Sequence, residues 1–107
     1  MTSSSAIASR SFTLHDQREF ARLSGDFNPL HLDAQFARRT HMGAPVVHGV
    51  HTLLWALESV LRKESFAIAN IRVRFHQPLF LDETAAVRIT GRTEAAIDLG
   101  VAAGTTT

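Results

Sequence analysis

Between Val46 and Leu61 the apolar residues Val46, Val50, Leu53, Leu54, Leu57, Val60 and Leu61 recur three and four positions apart, and Trp55 and Ala56 widen the stripe. That spacing predicts a helix, and the breadth of the stripe makes it the principal buried helix of the chain. After Lys63 the period changes to two. Ile71, Val73 and Phe75 alternate with Arg72, Arg74 and His76, as in a half-buried antiparallel strand, and Pro78 ends the run. Val87 and Ile89 alternate with Arg88 and Thr90, and Ile97, Leu99 and Val101 with Asp98, Gly100 and Ala102, which predicts two further strands.

The first third of the chain reads differently. Residues 11–14 form a short first strand, and Asp16, three residues before Glu19, marks the capped start of a helix that Gly25 ends. Asp26-Phe27-Asn28-Pro29 is a turn, because proline disfavours helical geometry at the residue before it and asparagine bonds local backbone. Asp33 caps a brief helix over residues 34–39, and His41 to Pro45 reads as loop. Residues 1–11 are Ser- and Ala-rich and read as a flexible leader; their apolar stretch is too short for a secretory signal, although organelle-targeting peptides share the composition. One domain over residues 12–107 follows. Its order of strand, helices and consecutive strands is an α+β arrangement in which an antiparallel sheet wraps one long central helix.

Composition narrows the function classes. The 107 residues are 45% hydrophobic and 20% charged, which fits an ordinary globular domain and excludes a disordered tail. A domain this small leaves apolar surface uncovered, so association is favoured. Eleven Lys and Arg against 10 Asp and Glu give a formal charge of +1, no electrostatic footprint for nucleic acid. No stretch is apolar for long enough to span a membrane. The absence of Cys excludes a disulfide scaffold, a thiolate nucleophile and Cys-ligated zinc, and agrees with a reducing compartment, with the cytoplasm as the expectation.

Residues able to do chemistry concentrate at Ser24-Gly25-Asp26-Phe27-Asn28-Pro29-Leu30-His31-Leu32-Asp33, where a rigid bend separates a carboxylate from an imidazole. Water addition across a polarised double bond needs a base for the water proton and an acid for the carbon, and Asp26 with His31 can supply both. The plainer alternative is that Asp26 caps the turn and His31 packs. A second cluster, Ala44-Pro45-Val46-Val47-His48-Gly49-Val50, lies at the start of the long helix, where backbone N–H groups lack internal partners and the dipole is positive. Gly49, without a side chain, could let a thioester carbonyl reach its amide, or could serve only to permit close packing.

Together, Gly25-Asp26-Phe27-Asn28-Pro29-Leu30-His31-Leu32-Asp33 and Pro45-Val46-Val47-His48-Gly49 resemble the signature of the MaoC-like, R-specific enoyl-CoA hydratase family, with Phe75, Pro78 and Thr84 resembling its later strand-and-turn pattern. The resemblance implies a hot-dog fold and reversible hydration of trans-2-enoyl thioesters, or dehydration of (R)-3-hydroxyacyl thioesters, in fatty-acyl metabolism. It implies Asp26 and His31 as the catalytic pair, Asn28 as the shaper of their loop, and the Gly49 amide, with His48 and Val47 beside it, as the group that meets the thioester. It also implies a homodimer, an acyl-CoA or acyl-carrier thioester as substrate, and neither cofactor nor metal. Ala34 stands where the signature commonly has proline, Asp82 where a later turn commonly has glycine, and Leu57 where some relatives carry a small polar residue. Family domains also continue into another strand, so the sheet is expected to lack its last strand and the domain to be C-terminally incomplete.

Three other readings compete. A hot-dog acyl-CoA thioesterase would need a helix-borne carboxylate, for which Glu58 is the candidate. A non-catalytic acyl-thioester-binding or dimerisation module would keep the pair without the geometry. A metal site could draw on His48 and His51, three apart on the helix, with His31, His41 or His76, but nothing there resembles a helical zinc motif.

Overall fold

The computed structural model describes residues 5–103. Its elements are β1 (Ala6–Ser11), α1 (Leu14–Ser24), α2 (Pro29–Leu32), α3 (Ala34–Arg38), α4 (Gly49–Leu61), β2 (Thr84–Arg92) and β3 (Ile97–Ala103). The strands form one antiparallel sheet in the order β1-β2-β3. No helix of the described residues is long and apolar enough to cross a membrane.

The first strand lies earlier than the sequence pattern predicts, within the stretch read as a leader. Ala6–Ser11 pair with β2, Ser9 opposite Ala86 and Ser11 opposite Thr84, so backbone pairing holds a segment whose composition suggested a flexible leader. Residues 1–4 of that leader lie outside the described residues. The cap of α1 also falls one turn earlier. Thr13 Oγ1 accepts from the Asp16 amide at 3.1 Å and the Asp16 carboxylate accepts from the Thr13 amide at 2.9 Å, so Asp16 is the returning partner and not the cap itself. Gly25 ends α1 as expected, with φ 82° and its amide on the Ala21 carbonyl at 2.8 Å.

The long helix begins at Gly49, three residues inside the apolar stripe. Val46 and Val47 are held extended before it. The Val46 amide donates to Leu30 O at 3.1 Å, the Val47 amide donates to Leu79 O at 2.7 Å, and Val46 bridges Phe80. α4 packs on the sheet through Trp55 and Ala56, which join Phe12, Val47, Ala85 and Val87 in one buried cluster.

The predicted strand over Ile71, Val73 and Phe75 does not form. No ladder partner for it lies among the described residues, and an unpaired strand leaves all its N–H and C=O groups to water. The segment runs as irregular chain, with Phe66, Ile68, Ile71, Val73 and Phe75 substantially exposed. Two contacts tie it to α4: Ile68 closes a shallow groove with Leu54, Leu57 and Leu61, and the Phe75 ring lies over Gly49.

Among the described residues, one buried side-chain polar atom stands unsatisfied. His51 stacks face to face on Phe20 at 4.4 Å and meets Phe12 edge-on at 4.8 Å, and its Nδ1 has no hydrogen-bond partner among the described residues. Burial, with the Arg10 charge adding to it, pushes the His51 pKa down. As pH falls below about 6.5 the unfolded chain therefore takes up a proton that the folded chain refuses, and stability present above that value is lost below it. Replacing His51 by Phe removes both the orphan nitrogen and this titration. We expect His51→Phe to gain about 1 kcal/mol, or roughly 5 °C in Tm. Thermal unfolding from about pH 7.5 down to pH 5 should show a shallower decline than in the wild type, the residual slope coming in part from His48.

Candidate active site

The Asp26 loop is built from its own short-range bonds. The Asp26 Oδ1 atom accepts from the Asn28 amide at 3.1 Å, and Asn28 Oδ1 accepts from the Leu30 amide at 2.9 Å, which caps α2 with Pro29 at its first position. Asn28 thus shapes the loop, and Asp26 keeps its second oxygen free of that turn. One turn of α2 then carries His31 back toward Asp26. His31 Nε2 lies 3.8 Å from Asp26 Oδ2, the imidazole 15% and the carboxylate 50% exposed. That separation is too long for a direct bond, and one water can sit at about 2.8 Å from both atoms.

His31 Nδ1 lies 2.7 Å from the Val46 carbonyl. A carbonyl only accepts, so Nδ1 carries the proton and donates it, and the neutral ring presents a lone pair at Nε2, on the Asp26 side. The pair therefore offers two proton acceptors to one small space at the protein surface.

His48 is fully inside. It is 1% exposed, stacks on His31 with centroids 4.1 Å apart and tilts against Phe20 at 4.9 Å. Its Nε2 lies 3.0 Å from the Asp26 carbonyl and its Nδ1 3.2 Å from Gln17 Oε1, so both nitrogens face acceptors. Burial lowers the His48 pKa, and the contact with the Asp26 carbonyl opposes that shift. Through that contact His48 ties the Asp26 peptide to the start of α4. Val47 also turns inward. Its side chain is 3% exposed in the core and its amide is bonded to Leu79 O, leaving no donor for a thioester.

Gly49 is the first residue of α4, where an N–H group has no carbonyl a turn behind it within the helix. A Cβ built on it would stand 3.0 Å from the Phe75 ring, so its bareness permits a close approach, and a carbonyl approaching the helix N-terminus would need the same bareness. Because Phe75 is 64% exposed, its ring can swing aside. Gly49→Ala is expected to keep the fold and to lower kcat/KM for an enoyl thioester about tenfold by crowding that approach, as measured by loss of enoyl absorbance.

Among the described residues, Asp26, His31 and His48 offer donor atoms within 4.8 Å of one another. His51, His41 and His76 take no part in that cluster. A cation there would have to displace the Asp26 carbonyl from His48. Glu58 stands on the exposed side of α4 paired with Arg62 at 2.8 Å, away from any activated water the site could hold.

One residue of the site was not singled out from sequence. Gln17 is completely buried in α1, and its side chain touches the His31, Val46 and His48 segments. The available signal was its position: Gln17 falls on the same helical face as Phe20, Ala21 and Ser24, and a polar residue on a core face needs partners.

The family model described as "MaoC like domain" matches residues 2–106, and the chain belongs to that family. Among solved structures, the (R)-hydratase from A. caviae involved in PHA biosynthesis is 31% identical with a TM-score of 0.64, over 94% of this chain and 83% of that one. Protein af1124 from Archaeoglobus fulgidus is 25% identical with a TM-score of 0.73, over 91% of this chain and 64% of that one. The fold is the hot-dog fold of these proteins, α+β with an antiparallel sheet on the long helix α4. Among curated proteins, the peroxisomal multifunctional enzyme type 2 of Drosophila melanogaster is 38% identical over 81 residues, which are 70% of this chain and 13% of that protein. The enoyl-CoA hydratase 2, peroxisomal, of Arabidopsis thaliana is 37% identical over 67 residues, 59% of this chain and 22% of that protein. The chain thus spans less than a quarter of the length of these two curated relatives.

Proposed function

We propose that the chain catalyses reversible hydration of trans-2-enoyl thioesters of the acyl-CoA type, giving (R)-3-hydroxyacyl thioesters. The observation that carries this reading is the pairing of Asp26 Oδ2 with the lone pair of His31 Nε2 across 3.8 Å, a gap sized for one shared water. The thioester carbonyl meets the Gly49 amide at the positive end of α4, which stabilises the enolate oxygen that develops as the water oxygen bonds to Cβ. The water proton passes to the Asp26–His31 pair and a proton from the pair passes to Cα. Each turnover therefore returns the two groups to their starting state, and the two share the transfer as a coupled unit.

A homodimer and an acyl-thioester partner belong to the same reading. Exposed Val50, Leu54 and Leu61 on α4, continued by the apolar side chains of residues 66–75, favour association of two copies, which sedimentation of the chain tests. Hydration is tested by mixing the chain with crotonyl-CoA and following the absorbance of the conjugated thioester with a thiol reagent present. Loss of absorbance without release of thiol supports hydration; release of thiol would replace it with thioester hydrolysis.

A further inference from the structure

Resting on the hydratase reading, we propose that Gln17 is the positioning residue of the site, holding His31 in the tautomer that leaves Nε2 free to take a proton from water. Gln17 Nε2 lies 2.7 Å from His31 O and 2.9 Å from Val46 O, so it donates to both carbonyls. Those two acceptors fix which end of the amide is nitrogen. Gln17 Oε1 then accepts from the His48 amide at 3.3 Å and faces His48 Nδ1 at 3.2 Å. One completely buried side chain thereby joins three segments distant in sequence: α1, the α2 turn that carries His31, and the extended pair before α4.

The consequence for chemistry runs through the Val46 carbonyl. It accepts from Gln17 and from His31 Nδ1 together, and its direction decides which nitrogen of His31 is the donor. The competing arrangement is close at hand. With its proton on Nε2, His31 would turn that N–H toward the Asp26 carboxylate 3.8 Å away and place a donor where the water needs an acceptor. Gln17 disfavours this exchange by fixing both the Val46 carbonyl and the peptide of His31 itself. It touches no substrate and acts only through these groups.

The test compares wild type, Gln17→Leu and Gln17→Glu by long-range ¹H–¹⁵N spectra of the imidazoles, with kinetics on crotonyl-CoA. Wild-type His31 is expected to show the proton on Nδ1. In Gln17→Leu, which removes every bond, the spectrum should move toward the Nε2-protonated form, with kcat lowered on the order of 10²-fold and KM changed by less than about threefold. A structural role alone would lower Tm and leave the tautomer and kcat in place, and that result in a folded Gln17→Leu would overturn the proposal. Gln17→Glu covers the case in which the leucine variant does not fold: it keeps the acceptor for His48, loses both donations when its carboxylate is ionised, and is expected to show the same change of tautomer at a pH where it is ionised. Retention of Nδ1–H with wild-type kcat in that variant, or a wild-type His31 protonated on Nε2, would equally overturn it. A wild type without hydration overturns the hydratase reading instead, and the spectra still decide whether Gln17 governs His31.

Discussion

Asp26→Asn and His31→Ala are each expected to lower the rate of enoyl-thioester hydration by about 10²-fold or more while leaving the fold intact. The asparagine retains an oxygen to accept from the Asn28 amide, so the turn that presents position 26 survives the change. What is lost is the carboxylate charge beside the water. The alanine removes the acceptor at Nε2, but the Val46 carbonyl keeps its bond from Gln17 and so does not become an orphan. In the proposed mechanism the two groups act on one water, so the double variant should lose little beyond the slower single variant, a non-additivity that double-mutant kinetics reads directly. Near-wild-type rates in both single variants would remove the pair from the mechanism.

Phe12→Ala should show the opposite signature, activity and fold lost together. Phe12 is completely buried, meets Trp55 edge-on at 5.6 Å and His51 at 4.8 Å, and carries the Arg10 guanidinium 4.1 Å above its ring. Its carbonyl accepts from the Asp82 amide at 2.9 Å. Truncation empties the space between the first strand and α4, at a cost of about 3–5 kcal/mol. A domain of this size has only about 5–15 kcal/mol to lose, so the urea midpoint should fall sharply, and Phe12→Leu should recover most of it. A stability within about 0.5 kcal/mol of wild type would mean that this cluster is not the core.

The two sets of variants also separate what could be read from the sequence from what could not. Local signals were legible. Asp33 caps α3 by accepting from the Gln35 and Phe36 amides, Gly25 takes the left-handed conformation, and β2 and β3 follow their alternation. Asp82, noted for standing where related domains have glycine, does adopt φ 66°, a conformation that Asp tolerates better than most residues. Features set by distant partners were not. Ala6–Ser11 is a strand because β2 lies beside it, and Val46 leaves the helical stripe because Leu30 and Phe80 claim its backbone. Residues 71–76 carry a strand's alternation and lack a strand's neighbour. Within the candidate site, the motif proposes Asp26, Asn28, His31 and Gly49, whereas the turning of His48 and Val47 inward and the reach of Gln17 depend on how α1 lies against α4, which spacing along the chain does not encode.

His31 takes its proton arrangement from an oxygen of the main chain at position 46. Every amino acid supplies that oxygen, and every one but proline also supplies the amide that position 46 gives to Leu30. Codon 46 is therefore free to drift among apolar residues without touching the proposed acid–base chemistry. An evolutionary record of the proposed site would be written at positions 17, 26 and 31, while the residue whose backbone contact is among the shortest at the His31 ring would look ordinary in any alignment.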